Sequence, residues 1–301
     1  MAGSKRPKIG LALGSGGARG WCHIGILREL GDMGLEPDVI SGASMGALVG
    51  AVYAGGGLDA LENWATGLKA RDFFGMLDVR LSSGGLVEGA EIVNVLRRIV
   101  KEERIEDLPV PLALVATDMA TGREVWLTEG KLPEAVRASV ALPGIISPFR
   151  IDGRWFLDGG LTNPLPVTAC RMLGAEVVIA ANPNGRIDGT LWSEREASMP
   201  TFWSSWGERL KHLPAGLSGL FDSGEEEAPA PQYLDVIAAS IDIMTDGIRR
   251  AKLAGDPPHV LLDAHLAELS VLDFHCASQA IEEGRRIVRE NADAIARAAR
   301  L

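Results

Sequence analysis

The most constraining feature of this chain is a pair of strand–glycine turn–helix units within its first 57 residues. KIGLALG (8–14) is a short apolar run that ends in glycine, and GARGWCHIGILRELGDMGL reads as the helix behind it. Ile24, Leu27 and Leu30 share one face of that helix, which closes near Gly34. PDVISGAS is a second strand running into Ser44, and MGALVGAVYAGGG is a helix of small residues that can lie close against a sheet. Alternation of this kind specifies an α/β fold, with a mostly parallel central sheet covered by helices.

The remaining periodic segments fit that frame. EGAEIVNVLRRIV (88–100) predicts an amphipathic helix, PLALVATDM and EVWLT predict strands, and LPEAVRASVA a helix. FRIDGRWFLDGG (149–160) is two extended runs around Asp152-Gly153, a strong hairpin signal. EVVIAANPN (176–184) and HVLLDAH are further strands. A helix is expected from about Tyr233 to Leu253, and a single long helix from about Asp273 to Ala299. The chain is expected to be a single domain over 1–301, interrupted at 185–232 by an insertion or lid rich in Ser, Pro, Gly and Trp.

Bulk properties narrow the function classes. A formal charge of −10 argues against nucleic-acid binding, which needs basic surface to neutralise phosphate. It also provides no long-range attraction to anionic membranes, though a local patch can act. Cys22, Cys170 and Cys276 are far apart and odd in number, so neither a disulfide framework nor a zinc cluster is indicated. Buried, reduced thiols in a cytoplasmic protein are the expectation. Glycines and Arg19 interrupt the N-terminal apolar stretch too early for a signal-peptide core.

The candidate chemistry centres on SGASMGALVGA. Ser44 lies in Gly-x-Ser-x-Gly, flanked by Gly42 and Gly46, a pattern that builds a nucleophile elbow. A serine hydroxyl needs a base and an oxyanion site. GSGGARG (14–20) follows the first strand, where its backbone N–H groups and the next helix N-terminus can face developing negative charge. As a dinucleotide loop it is a weak match: one register puts Arg19 at the last glycine, the other starts on Ser15. For the base, His259, His265 and His275 come late enough in the chain for an α/β-hydrolase order, but none sits in an evident catalytic loop. His23 lies inside a helix and His212 inside the insertion. Asp158 ends an apolar strand before Gly159 and Gly160, where a carboxylate could reach Ser44 or merely start a turn.

Taken together, GSGGARG, GASMG and DGG resemble the patatin-like phospholipase family, over roughly residues 8–184. SIDIMTDGIRRAKL and DFHCASQAIEEG extend the likeness to its bacterial subgroup, related to the catalytic part of neuropathy target esterase. The resemblance implies a three-layer α/β/α fold and a metal-free, cofactor-independent serine acyl hydrolase acting on lipid esters. It puts the nucleophile on Ser44 and the base on Asp158, with Gly16, Gly17 and Ala18 as the oxyanion loop, supported by Arg19 and Gly20. Ser15 departs from the subgroup, which usually has glycine there.

Two rival readings remain: an α/β-hydrolase-type esterase using a late histidine, and a lipid- or nucleotide-binding protein in which Ser44 does no chemistry. Within the insertion, Trp203, Trp206, Leu210 and Leu213 fall on one helical stripe, interrupted at Pro214. The stripe suits self-packing, a subunit contact, or peripheral contact with a lipid surface.

Overall fold

The computed structural model describes residues 6–69, 89–185 and 233–300. Among them, eight strands form one sheet: β1 (Ile9–Leu13), β2 (Val39–Ala43), β3 (Leu112–Asp118), β4 (Glu124–Leu127), β5 (Phe149–Ile151), β6 (Arg154–Asp158), β7 (Val177–Gly185) and β8 (Val260–His265). The helices are α1 (Cys22–Asp32), α2 (Met45–Ala54), α3 (Leu58–Gly67), α4 (Ala90–Ile99), α5 (Leu132–Ser139), α6 (Val167–Met172), α7 (Tyr233–Gly255), α8 (Ala277–Glu290) and α9 (Ala292–Ala299).

Strand residues alternate between two cores, and this alternation makes the layers. Ile9, Leu11 and Leu13 of β1 pack with Ile24, Leu27 and Leu30 of α1 and with Ile281 and Val288 of α8. Ala12, one residue out of phase, joins Leu165, Val167 and Cys170 on the opposite face, over α6. Both faces of the central strands are thus buried, as a parallel sheet requires. The result is the three-layer α/β/α arrangement.

Topology fixes where a site can form. The parallel strands run in the order β3-β2-β1-β7-β8. The chain builds from β1 through β2 to β3, then returns to place β7 on the other side of β1. That reversal opens a crevice at the carboxyl ends of the strands, where the loop after β1 and the turn after β2 both lie.

A second device brings β6 to the same place. Leu114 and Val115 of β3 pair with β2 and with β4, so those two strands occupy opposite edges of β3. Ala116 and Thr117 pair with β4 and with β6, so β6 shares its edge of β3 with β2. β2 stops at Ala43 opposite Val115, and antiparallel β6 arrives with Asp158 opposite Ala116. The two strand ends meet head-on.

Some expectations need correction. The single helix predicted from Asp273 to Ala299 is a short 3-10 turn followed by α8 and α9, divided at Asn291. Asn291 leaves the helical region at φ −102° and ψ 9°, and its side-chain amide donates to the Ile287 carbonyl at 2.8 Å, sharing that acceptor with its own backbone N–H at 3.2 Å. The helix predicted from residue 17 begins as a 3-10 turn over Gly17–Trp21. Cys22 and Cys170 are buried, but Cys276 is only partly so. Of the 185–232 stretch, Gly185 closes β7; Trp203, Trp206, Leu210, Leu213 and the rest of the insertion lie outside the described residues.

Candidate active site

Ser44 occupies the turn between β2 and α2 with φ 54° and ψ −120°, a left-handed conformation unusual for a residue with a side chain. Strain of this kind holds the hydroxyl clear of the backbone at the helix N-terminus. The flanking glycines permit the turn. A Cβ at Gly42 would collide with the Gly46 carbonyl, and one at Gly46 with the Leu13 carbonyl. The Ser44 N–H donates to Ser139 Oγ at 3.0 Å, and that hydroxyl donates to the Val115 carbonyl at 2.6 Å. Ser139 thereby ties the elbow to β3.

Ser44 Oγ donates to Asp158 Oδ2 at 2.6 Å. The other carboxylate oxygen, Oδ1, accepts the Gly160 N–H at 2.7 Å. Asp158 is 2% exposed, and burial raises its carboxyl pKa to about 6. The hydrogen bonds from Ser44 and Gly160 pull the other way, by less. A carboxylate that is ionised near neutrality, yet basic enough to take a proton, suits general-base work. Gly159 has the Val115 carbonyl where a Cβ would stand, and Gly160 has Ser15 Oγ 2.9 Å from that position. Backbone approach therefore demands glycine at 159, whereas at 160 the crowding comes from side chains.

The loop after β1 is anchored at several points. Gly14 N–H donates to the Ala181 carbonyl, Ser15 N–H to the Pro164 carbonyl, and Asn184 Nδ2 to the Ser15 carbonyl. Gly17 adopts φ 53°, and a Cβ there would strike the Val271 carbonyl. The Gly16 and Gly17 N–H groups have no acceptor among the described residues, whereas Ala18 N–H donates to Val271 O at 2.8 Å. Arg19 is buried. Its Nε donates to the Leu269 carbonyl at 2.7 Å, and its Nη1 to Asn184 Oδ1 at 3.1 Å and Asp242 Oδ2 at 3.2 Å. Gly20 lies against Met45, with 2.6 Å between the Met45 Cβ and the place of a Gly20 Cβ.

A cavity of about 40 Å³ gathers Gly16, Gly17, Ser44, Asp158 and Gly160 on its polar side and Leu142, Ile145, Leu161 and Ile241 on its apolar side. His259, His265 and His275 are exposed and do not line it. His23 is fully buried beneath the glycine loop, its Nε2 2.8 Å from the Gly14 carbonyl, and burial lowers its pKa to about 4. It is neutral and structural. Sequence reasoning missed Ser139, an unmarked helical serine, and Asp242, Thr245 and Val271, which reach the cavity from distant segments. The one local hint was polar Asp242 beside the apolar Ile241 and Ile243.

The patatin-like phospholipase family matches residues 11–171. An uncharacterized NTE family protein of Mycobacterium tuberculosis is 32% identical, with 98% of this chain and 94% of that protein covered. Mouse patatin-like phospholipase domain-containing protein 7 is 34% identical over 66% of this chain, which corresponds to 15% of its own length. Mouse patatin-like phospholipase domain-containing protein 6 is 33% identical over 66% of this chain and 15% of its own length. With a family match over more than half its length and an NTE-family relative spanning nearly all of it, the chain belongs to the patatin-like phospholipases, a family of lipid ester hydrolases.

Proposed function

We propose that Ser44 and Asp158 form the catalytic dyad of a phospholipase A or lysophospholipase-type acyl hydrolase. The observation that carries this reading is the 2.6 Å hydrogen bond from Ser44 Oγ to a buried carboxylate, inside a cavity that also exposes the glycine loop. Asp158 takes the hydroxyl proton as Ser44 attacks the ester carbonyl. The oxyanion falls to the Gly16 and Gly17 N–H groups; Ala18 N–H is already given to Val271. Collapse expels the alcohol, which receives its proton from Asp158 and leaves an acyl-serine. Water then attacks that ester, passing a proton to Asp158, and collapse returns the proton to Ser44 with release of the fatty acid. Arg19 and Asn184 hold the loop in place through backbone and carboxylate contacts, with Gly20 packed behind it. A single acyl hydrolase domain is supported by one sheet running from β1 to β8. Three free cysteines favour a cytoplasmic setting.

The reading is tested by measuring fatty acid release from lysophospholipid and diacyl phospholipid micelles. Wild type should release fatty acid and Ser44→Ala should not. Gly17→Val, checked for folding by thermal melting, should lose on the order of 10²–10³ in turnover through the displaced oxyanion loop. Release by a folded Ser44→Ala protein would defeat the proposal.

A further inference from the structure

The face of the two hairpins that carry β6 past the catalytic level is apolar and cationic at its tip. β3 extends three residues beyond Val115, the partner of Ala43, so the β3–β4 turn and the β5–β6 hairpin project beyond the carboxyl ends of the parallel strands. Asp152 (φ 47°) and Gly153 (φ 83°) make the tight β5–β6 turn. At this end Met119 is 54% exposed and Trp155 49%, and Met119 N–H donates to the Trp155 carbonyl at 2.9 Å, so the two are neighbours. Trp155 lies three residues before Asp158 on β6, about 10 Å along the strand.

The charges around this pair are uneven. The Arg150 guanidinium lies 5.8 Å from the Trp155 ring centroid, and its Nε donates to the Gly153 carbonyl. Arg123 closes the neighbouring β3–β4 turn, its carbonyl accepting the Asp118 N–H. Arg123 and Arg150 are exposed, and neither forms an ion pair among the described residues. Nearby acids are mostly neutralised. Asp118 is buried against Arg154, whose Nε and Nη2 donate to Oδ2 at 2.9 and 2.6 Å, and Glu124 pairs with Lys252 at 2.7 Å. Asp152 is the opposing charge at the tip. A chain of net charge −10 thus presents a locally cationic patch with an exposed indole and thioether beside the strand that delivers its candidate base.

We propose that Met119, Trp155, Arg123 and Arg150 form a docking surface for an anionic lipid interface. An exposed apolar patch rimmed by exposed cations complements such a surface: the indole enters the headgroup region, and the guanidiniums meet phosphate. Docking there would bring the carboxyl ends of β2 and β6, where the serine and aspartate lie, towards the lipid. The proposal rests on the acyl-hydrolase reading for its choice of partner, and its test is kept separate from that chemistry.

Binding is measured by co-sedimentation of the full chain, carrying Ser44→Ala so that no substrate is consumed, with phosphatidylcholine vesicles and mixed phosphatidylcholine–phosphatidylglycerol vesicles. The parent should prefer the anionic vesicles, and raised salt should weaken the binding. Arg123→Gln with Arg150→Gln should weaken it about tenfold or more, and Met119→Ser with Trp155→Ser should do likewise. With Ser44 restored, the same substitutions should leave p-nitrophenyl butyrate turnover and melting temperature unchanged. Equal binding by parent and variants, or no preference for anionic vesicles, would overturn the proposal. Loss of soluble-ester turnover in the folded variants would also overturn it, by making the hairpin a support for Asp158. Failure of the hydrolase reading would show separately, as wild type inactive on the soluble ester.

Discussion

At the scale of single residues, Asp158 serves two ends of one carboxylate. Its Oδ1 closes a turn with Gly160 N–H, and its Oδ2 receives the Ser44 hydroxyl. Starting a turn and meeting the Ser44 hydroxyl are therefore compatible in one side chain, and no local pattern in Asp-Gly-Gly could have separated them. The aspartate's burial has a thermodynamic consequence. Its pKa rises from 3.8 to about 6, so the native state binds the proton more tightly than the unfolded chain. Well below pH 3.8 both states are protonated and nothing is lost. As pH climbs through about 4 to 6 the unfolded chain releases its proton first, and by pH 7 the native state has lost on the order of 3 kcal/mol. Asp158→Asn should accordingly be more stable than wild type at pH 8, with the gain vanishing by about pH 3. Urea unfolding at the two pH values measures this; a variant less stable than wild type at pH 8 would show that the charge is not the costly feature. In the proposed mechanism activity runs the opposite way, because Asp158 must be ionised to accept the serine proton.

At the scale of elements, local pattern and distant contact divide what could be read. The units β1–α1 and β2–α2 were legible because apolar runs, glycines and helix-compatible segments fall in sequence order. The division at Asn291 was not, since Ile287, Val288 and Ile295 continue the helical stripe across it and only the Asn291 backbone, at φ −102° and ψ 9°, departs from the helix. The closeness of α1 and α8 was also hidden. A Cβ at Gly25 would collide with the Ile281 carbonyl, and one at Gly284 with the Cys22 carbonyl, so each glycine admits the other helix's backbone. Gly284→Ala should destabilise the protein by about 1–3 kcal/mol, as overpacking does, read by denaturant midpoint. Turnover per folded molecule should be retained, because neither glycine lines the cavity. An unaffected midpoint would mean that the helices separate without penalty. Arg19 belongs to this scale too, since it links the loop after β1 to Asp242 of α7, 223 residues away.

For the whole molecule, the decisive feature is that β2 and β6 share one edge of β3 and end against each other. Ser44 and Asp158 are 114 residues apart, and only strand pairing brings them to 2.6 Å. Alternation of strand and helix patterns pointed to an α/β fold, and family resemblance to its three layers and to the pair. The edge-sharing that unites them needed the sheet. The same architecture keeps His259, His265 and His275 at the surface, away from the cavity. The proposed catalytic unit is therefore serine and aspartate without histidine. Its most direct test is the rate of covalent labelling by a fluorophosphonate as a function of pH, for wild type, Ser44→Ala, Asp158→Asn and a His259→Ala/His265→Ala/His275→Ala triple variant. Wild type and the triple variant should label alike, with a rate that falls as pH drops below about 6; Ser44→Ala should not label, and Asp158→Asn should label slowly with no such fall. Labelling of Asp158→Asn at the wild-type rate, or loss of labelling in a folded triple variant, would contradict the account.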